Sequence, residues 1–158
     1  MKKSVYISAW SIVLSAVGAT ILVMCMITCF NAGQTVLAMI VELMLLLMAA
    51  TALFYMPLSI ELTDKHLIVN RPLWYKRIAI DDIADVRYCP PTMGALRLCA
   101  SGGWLGYWGW FREGDIGTYF AYYGRSSECF LVTLRSGAKY VLGCRGYNDI
   151  VTALKARL

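Results

Sequence analysis

The chain has 158 residues, of which 59% are hydrophobic, and its formal net charge is +5. Because soluble domains average about 45–50% apolar residues, this composition excludes an ordinary soluble protein. The excess is local: residues 4–41 contain no Asp, Glu, Lys or Arg, and residues 42–60 contain only Glu42. The first third of the chain therefore predicts membrane-spanning helices.

Two apolar segments, residues 5–30 and 35–56, are separated by the turn-forming run Asn31-Ala32-Gly33-Gln34. Each is longer than the roughly 20 residues that a helix needs to cross the hydrocarbon core. The first segment is too long for the apolar part of a signal peptide, and no small-residue cleavage site follows it. The sequence predicts a two-span transmembrane hairpin over residues 1–56 and a separate domain over residues 57–158.

Basic residues flank this hairpin on one side only. Lys2 and Lys3 precede the first span, the connecting turn has no charge, and further basic residues follow the second span. The positive-inside rule then predicts a multi-pass protein of the inner membrane with both termini in the cytoplasm.

Glu42 is the single ionisable residue within the two spans. Ionisable residues inside a membrane are candidates for function. The alternative is that Glu42 extends towards the outer interface, or that it forms a hydrogen bond with Thr28 or Asn31 across the hairpin.

The chain after the second span favours about seven short strands and a final helix. Apolar residues alternate with polar ones from residue 58 to 63, which predicts a strand, and residues 66–70 and 74–80 follow as two more. Apolar residues three apart over 80–86 predict a helical turn capped by Asp81 or Asp82. Paired-acid catalysis is the alternative for these aspartates, but no base, nucleophile or metal motif accompanies them.

The second half of this domain continues with β-forming segments at residues 95–100 and 116–123. Residues 128–135 and 139–144 flank Ser136-Gly137-Ala138, which predicts a hairpin. Asn148-Asp149 then begins a helix with an apolar stripe formed by Ile150, Val151, Leu154 and Leu158. This order of elements predicts an α+β protein whose domain is an antiparallel barrel or sandwich closed by a helix.

The uncharged segment 102–111 is rich in glycine and aromatic residues. As an extended strand it has one face made of Gly102, Trp104, Gly106, Trp108 and Trp110, and another made of Gly103, Leu105, Tyr107, Gly109 and Phe111. Neither face is polar, so a half-solvated strand is excluded. We expect the glycines and Tyr107 to face the core, and the three tryptophans to be left partly for a partner or for the membrane interface.

Basic and aromatic residues also cluster between the second and third predicted strands, at Arg71, Trp74, Lys76 and Arg77. Cations and amphipathic rings together suit the headgroup region of a membrane. The alternative is an exposed hairpin whose Trp74 packs on the barrel.

Catalytic and metal-binding motifs are not found in the sequence. His66 is the only histidine, and there is no nucleophile elbow, P-loop or metal triad. The six cysteines form no C-x-x-C pair, so those after the spans are expected to be small buried thiols. The basic residues are scattered rather than concentrated on one segment, which argues against nucleic-acid binding. We expect a protein that is not an enzyme and has no cofactor.

Two motifs resemble the bacterial pleckstrin-homology-like (PH) domain family over residues 57–158. They are Arg77-Ile78-Ala79-Ile80-Asp81-Asp82-Ile83 with Val86, and Gly102-Gly103-Trp104-Leu105-Gly106-Tyr107-Trp108-Gly109. The resemblance implies a PH-type barrel of two orthogonal sheets with a C-terminal helix, and no enzymatic activity. Ala100 stands where the family pattern often has glycine. The first hairpin turn, Thr63-Asp64-Lys65-His66, has one lysine beside an acid, so specific phosphoinositide binding is not expected.

Three functions are compatible with these features. The first is a non-enzymatic, membrane-anchored PH-like module for protein interaction or self-assembly at the cytoplasmic face, with the bilayer and a protein partner or second copy as its partners. The alternative is a sensor or binder of anionic lipid headgroups. The lowest-ranked is a small transporter or channel subunit that uses Glu42.

Overall fold

The computed structural model describes residues 1–92 and 94–158. Its described part contains three α-helices: α1 (Ala9–Asn31), α2 (Thr35–Tyr55) and α3 (Tyr147–Lys155). It also contains ten strands: β1 (Lys2–Ser4), β2 (Ser59–Leu62), β3 (His66–Asn70), β4 (Tyr75–Ala79), β5 (Ile83–Tyr88), β6 (Leu96–Gly103), β7 (Gly106–Glu113), β8 (Gly117–Tyr123), β9 (Cys129–Leu134) and β10 (Lys139–Gly143). The chain is therefore α+β, with two helices ahead of a β-domain.

Helices α1 and α2 are long and apolar enough to cross a membrane, judged by length and composition. Their mean hydropathies are 2.4 and 2.5, and only 6% and 17% of their most apolar stretches are buried, which is unlike a core helix of a soluble protein. Helix α1 begins at Ala9, later than residue 5, because Ser8 is extended and its side chain caps the helix by accepting a hydrogen bond from Ser11 N.

Strand β1 was not predicted, and it lies ahead of α1. It pairs antiparallel with β2, with Lys2 opposite Glu61 and Ser4 opposite Ser59. Lys3 Nζ also lies 2.6 Å from a carboxylate oxygen of Asp149 at the start of α3. Because the chain before α1 and the chain after α2 share one sheet, both ends of the helix hairpin lie on the same side.

The ten strands form two open sheets. One has the order β1-β2-β3-β4, and the other has the order β5-β9-β10-β8-β7-β6. The prediction of a closed antiparallel barrel of about seven strands is therefore wrong in closure and in strand number. One pairing is parallel. Strand β10 lies between β8 and β9, and it runs parallel to β8 and antiparallel to β9.

Strand β5 occupies the segment for which we predicted a helical turn. Only Ile80–Asp82 forms a single turn of 3-10 helix, and no side chain caps it. The register shifts between Ile83 and Asp85 where β5 pairs with β9. This bulge inserts one extra residue, so Ile83 and Val86 are both fully buried although they are three apart. A bulged strand thus reproduced the apolar spacing of a helix.

The other local predictions differ less from the structure. The β9–β10 hairpin is confirmed, and its turn contains Gly137 with a φ of 85°. Helix α3 buries Ile150 and Leu154 of the predicted apolar stripe, whereas Val151 is half-buried and Leu158 is exposed past the end of the helix. It begins after Gly146, whose φ is 69°, and not at residues 148–149, because a glycine in this conformation turns the chain into the helix.

Two apolar layers hold the β-domain together. The larger one joins side chains from both sheets to α3, and it includes Ile60, Leu67, Val86, Phe130 and Ile150. The smaller one covers the other face of the six-stranded sheet, where the residues after β5 pack on Tyr119, Leu131 and their neighbours. Both faces of the large sheet are therefore buried over much of their area.

Candidate functional site

Residues 101–111 form a hairpin and not the single extended strand whose two faces were considered from the sequence. The turn consists of Trp104 and Leu105, and Gly103 pairs with Gly106 across it. Gly103 and Gly106 have φ angles of 127° and 114°, and Leu105 has a φ of 50°. Glycines adopt positive φ at no steric cost, which is why a turn of two bulky apolar residues forms here.

This turn, which we call the β6–β7 tip, contacts both long helices. Ser15 Oγ on α1 accepts a hydrogen bond from Leu105 N (3.0 Å) and lies 3.2 Å from Gly103 O. On the other side, Trp104 Nε1 donates to the carbonyl of Met48 on α2 (3.2 Å). Ser15 and Met48 each lie about 10 Å along their helices, at 1.5 Å per residue, from the ends that join the β-domain. The tip therefore extends two helical turns past those ends.

An aromatic cluster attaches the end of α2 to the large sheet. The Tyr55 ring stacks on Trp108, with centroids 5.5 Å apart and an interplanar angle of 15°. The guanidinium of Arg71 lies 5.7 Å from the Tyr55 ring and 5.6 Å from the Tyr122 ring, and it donates a hydrogen bond to Tyr122 Oη (3.3 Å). Burial raises the pKa of Tyr122 to about 12, although the positive charge of Arg71 opposes the rise. Arg71 and Trp108 thus make their contacts with other side chains of the same chain.

The turn between β3 and β4 projects beside the same end of α2. Leu73 N donates to Leu53 O (3.3 Å). Leu73 and Trp74 remain 57% and 65% exposed, so Trp74 does not pack on the domain. Arg77 lies over the ring of Tyr75, with 4.5 Å between the guanidinium carbon and the ring centroid. The predicted basic-aromatic cluster therefore divides: Arg71 points into the aromatic cluster, whereas Trp74 and Arg77 lie at the surface.

Gly109 allows β6 and β7 to approach closely. Its φ is 113°, and a Cβ there would contact Cys99 O and lie 2.6 Å from Ala100 Cα. Ala100 is the residue paired with Gly109 across the two strands. The side chain at position 100, where the family pattern often has glycine, is accommodated because the opposite residue has none. The Arg97 side chain likewise covers Gly102, where a Cβ would clash with its guanidinium.

Strand β6 is the outer strand of the large sheet, and apolar residues are exposed on it on both sides of Arg97, which is exposed as well. Leu96 and Leu98 are 66% and 57% exposed, and Cys99 is exposed as well. Trp110 on β7 is 46% exposed, and the rest of its ring packs at right angles to Phe120. We call these residues, Leu96, Leu98, Cys99 and Trp110, the β6 edge surface. Sequence reasoning identified Trp110 but missed the two leucines, because the register shift between Arg97 and Cys99 exposes consecutive side chains.

Glu113 and the buried cysteines and tyrosines were not identified as a group from the sequence. The Glu113 carboxylate accepts hydrogen bonds from the backbone and side chain of Thr92 and from Tyr119 Oη (3.4 Å). Burial raises the pKa of the Cys129 thiol, and it raises the pKa of Cys144 to about 12. These thiols are protonated at neutral pH and are therefore weak nucleophiles. Cys99 is exposed and Cys89 is half-buried, so the prediction of four buried thiols is wrong for these two.

Glu42 lies at the opposite end of the helix hairpin, far along α2 from the β-domain. It lines a cavity of about 420 Å³ between α1 and α2. Among the described residues it has no side-chain hydrogen bond, and Thr28 bonds instead to Cys25 O. The predicted functional residues therefore occupy two separate regions of the molecule.

Two sheets, a C-terminal helix and a glycine-rich hairpin against an apolar helix pair define a small β-domain carried on a helix hairpin. The family model described as Bacterial PH domain matches residues 58–158. The chain belongs to the bacterial PH domain family. No curated protein and no solved structure matches it.

Proposed function

We propose that this chain is a non-enzymatic protein of the inner membrane whose PH domain mediates protein interaction or self-assembly at the cytoplasmic face. Two helices of sufficient length and hydropathy support membrane insertion. The pairing of β1 with β2 supports a common side for both ends of the hairpin. Lysines at positions 2 and 3 and the basic residues of the domain favour the cytoplasm for that side.

The observation that carries this proposal is the β6 edge surface. An outer strand presents unpaired backbone groups that another chain is able to pair with, and proteins usually protect such edges with charged or short strands. Strand β6 is eight residues long, and it exposes leucines at positions 96 and 98 with a single charged residue, Arg97, between them. Exposed apolar residues that adjoin one another are typical of an interaction site. A protein partner or a second copy of the chain would cover them.

The experiment measures the mass of the full-length protein in detergent by light scattering coupled to size-exclusion chromatography. Leu98→Glu places a charge on the β6 edge surface and is expected to reduce an oligomer to its monomer. Leu158→Glu is the matched control, because Leu158 is 50% exposed and lies outside that surface. Crosslinking through Cys99 in intact membranes gives a second readout of self-assembly. An oligomer of unchanged mass and crosslinking yield in Leu98→Glu would contradict self-assembly through this surface.

A second candidate function, the binding of anionic lipid headgroups, is favoured by the β3–β4 turn. Exposed Leu73 and Trp74 lie next to the end of α2, and Lys76 and Arg77 follow on β4. Apolar and aromatic residues at the membrane boundary with nearby cations suit an anionic surface. The first hairpin turn, which has one lysine, is at the other end of β2 and β3, away from the helices.

This second candidate is tested by hydrogen exchange of residues 70–77 in nanodiscs. The full-length protein is compared in zwitterionic lipid and in the same lipid mixed with phosphatidylglycerol. Anionic lipid is expected to slow exchange, and the double variant Lys76→Gln, Arg77→Gln is expected to abolish the difference. Lys65→Gln, in the first hairpin turn, serves as the control. Equal exchange in both lipids would rule out headgroup binding by this turn.

A further inference from the structure

An open cavity lies between α1 and α2 at the ends remote from the β-domain, and Phe30, Met39 and Glu42 on its wall are exposed. Its volume is about 420 Å³, and it is lined by Met26, Ile27, Phe30, Thr35, Ala38, Met39 and Glu42. This volume falls within the range of about 300–1,000 Å³ that is usual for small-molecule sites. Neither candidate function of the PH domain uses this cavity.

Glu42 is the one ionisable residue on its wall. In hydrocarbon such groups are costly unless they pair with another group, and they therefore face a partner, a cavity or water. The described residues provide no side-chain hydrogen bond to Glu42, and the spans at residues 9–31 and 35–55 contain no Lys, Arg or His. A second copy of the chain would bring the same spans and hence no cation. A cation on a different molecule would supply the counter-charge that these spans lack.

The rest of the wall indicates what kind of molecule this is. Thr35 is at the start of α2, and Glu42 follows seven residues later, which places the carboxylate about 10 Å deeper. Between them the cavity is bounded by methionines and by Phe30. Flexible methionine side chains adapt to apolar ligands of different shapes, and an aromatic ring attracts cations. The complementary ligand has an apolar body and one positive charge.

We propose that this cavity binds a hydrophobic organic cation, of the quaternary ammonium or phosphonium type, whose charge pairs with the Glu42 carboxylate. The apolar body of the ligand would contact Met26, Phe30 and Met39. This binding site is additional to the function proposed for the PH domain, because it lies at the opposite end of the helices.

The test is equilibrium binding of tetraphenylphosphonium to the full-length protein in nanodiscs, with binding to empty nanodiscs subtracted. Glu42→Gln is expected to weaken binding about tenfold or more, as for the loss of a charged partner. Glu42→Asp keeps the charge and is expected to retain most of the affinity. Asp81→Asn, which removes an exposed carboxylate from the β-domain, is the matched control and should bind like the wild type.

Three results would overturn the proposal. The first is equal affinity of Glu42→Gln and the wild type, measured on variants with the same elution volume and thermal stability. The second is equally tight binding of triphenylphosphine oxide, which has a similar apolar body and no net charge. The third is no binding to the wild type together with a change of oligomeric mass in Glu42→Gln, which would assign the carboxylate to a contact with another membrane protein.

Discussion

Gly109 shows how a single residue determines the shape of the β6–β7 hairpin. Its positive φ and the backbone of residues 99 and 100 leave no space for a side chain. The aromatic residues beside it, at positions 108 and 110, point to the opposite face, where they contact Tyr55 and Phe120. The glycine therefore sets the distance between two strands, and the neighbouring tryptophans provide the apolar contacts.

We predict that Gly109→Ala destabilises the protein by about 2 kcal/mol or more, because it adds an unfavourable φ to a clash with the backbone of β6. Thermal unfolding of the full-length protein in detergent measures the effect. Gly103→Ala separates the two causes, since Gly103 has a φ of 127° but no atom within 4 Å of the place that a Cβ would occupy. Gly114→Ala, which has neither restriction, is the control. A melting temperature of Gly109→Ala equal to that of Gly114→Ala would show the prediction to be wrong.

Tyr123 links the stability of the β-domain to pH. Its side chain is 4% exposed and stacks on Tyr107 at 5.0 Å. Burial raises the pKa of Tyr123 above the usual value of 10. In the unfolded chain the phenol loses its proton near pH 10, whereas in the folded chain it keeps the proton to a higher pH. The stabilisation is complete below pH 10 and is lost as the pH rises above that value.

We predict that Tyr123→Phe makes the stability of the protein less dependent on pH above pH 10. One proton corresponds to about 1.4 kcal/mol of unfolding free energy per pH unit. Urea unfolding midpoints measured between pH 9 and about 11.5 would show a shallower decline in the variant than in the wild type. Tyr88→Phe is the control, because Tyr88 is 52% exposed. Parallel curves for Tyr123→Phe and the wild type would disprove the assignment.

At the scale of elements, the β6–β7 tip connects the β-domain to both long helices. Ser15 contacts the backbone of the tip from α1, and the carbonyl of Met48 accepts the Trp104 N–H from α2. These bonds lie in an apolar region, where an unpaired polar group is costly. The tip therefore connects both helices to the large sheet, and a movement of one helix against the other would displace the tip.

We predict that Ser15→Ala speeds hydrogen exchange of the Leu105 amide about fivefold, corresponding to a lost hydrogen bond of about 1 kcal/mol. Thr20→Ala is the matched control, because the Thr20 hydroxyl bonds only to Ala16 O within α1. Exchange mass spectrometry of peptides that cover residues 101–111 measures the effect in detergent. The prediction fails if the two variants protect this segment equally well.

The sequence predicted the elements whose patterns are strong and local. The two long apolar segments and the β9–β10 hairpin were predicted from their lengths and turn residues, because these elements form with little influence from the rest of the fold. Strand β5 was mistaken for a helical turn because a bulge gives its buried residues a spacing of three. The β6–β7 turn was missed because Trp104 and Leu105 are unusual turn residues, and only the positive φ of the flanking glycines permits them.

The sequence predicted several residues of the candidate site, but it did not predict where their side chains lie. Aromatic and basic residues at positions 71, 74, 104 and 108 were recognised, but their destinations depend on long-range contacts. Arg71 turns inward because two tyrosines from distant parts of the chain, Tyr55 and Tyr122, lie on either side of it. Leu96 and Leu98 belong to an apolar segment, and they are exposed because the register shift between Arg97 and Cys99 exposes consecutive side chains of β6.

At the scale of the whole molecule, the pairing of β1 with β2 constrains the topology. Segments on either side of the helix pair meet in one sheet, so the two helices must enter and leave a membrane from the same side. We predict that green fluorescent protein fused after Leu158 is fluorescent and that alkaline phosphatase at the same place is inactive. The same phosphatase inserted at residue 33, between the helices, should be active. Phosphatase activity at Leu158 would place the PH domain outside the cytoplasm and refute the proposed function.

The pairing of β1 with β2 also determines when the four-stranded sheet forms during synthesis of the chain. Lys3 is synthesised before both long helices, and its partner Ile60 follows only after them. The four-stranded sheet therefore acquires its outer strand only after both helices have been synthesised. A fragment that begins at residue 58, where the family match begins, would expose the edge of β2 and lose the helices that hold Trp104. Completion of the four-stranded sheet is thus a late step that requires the chain from β1 through β2.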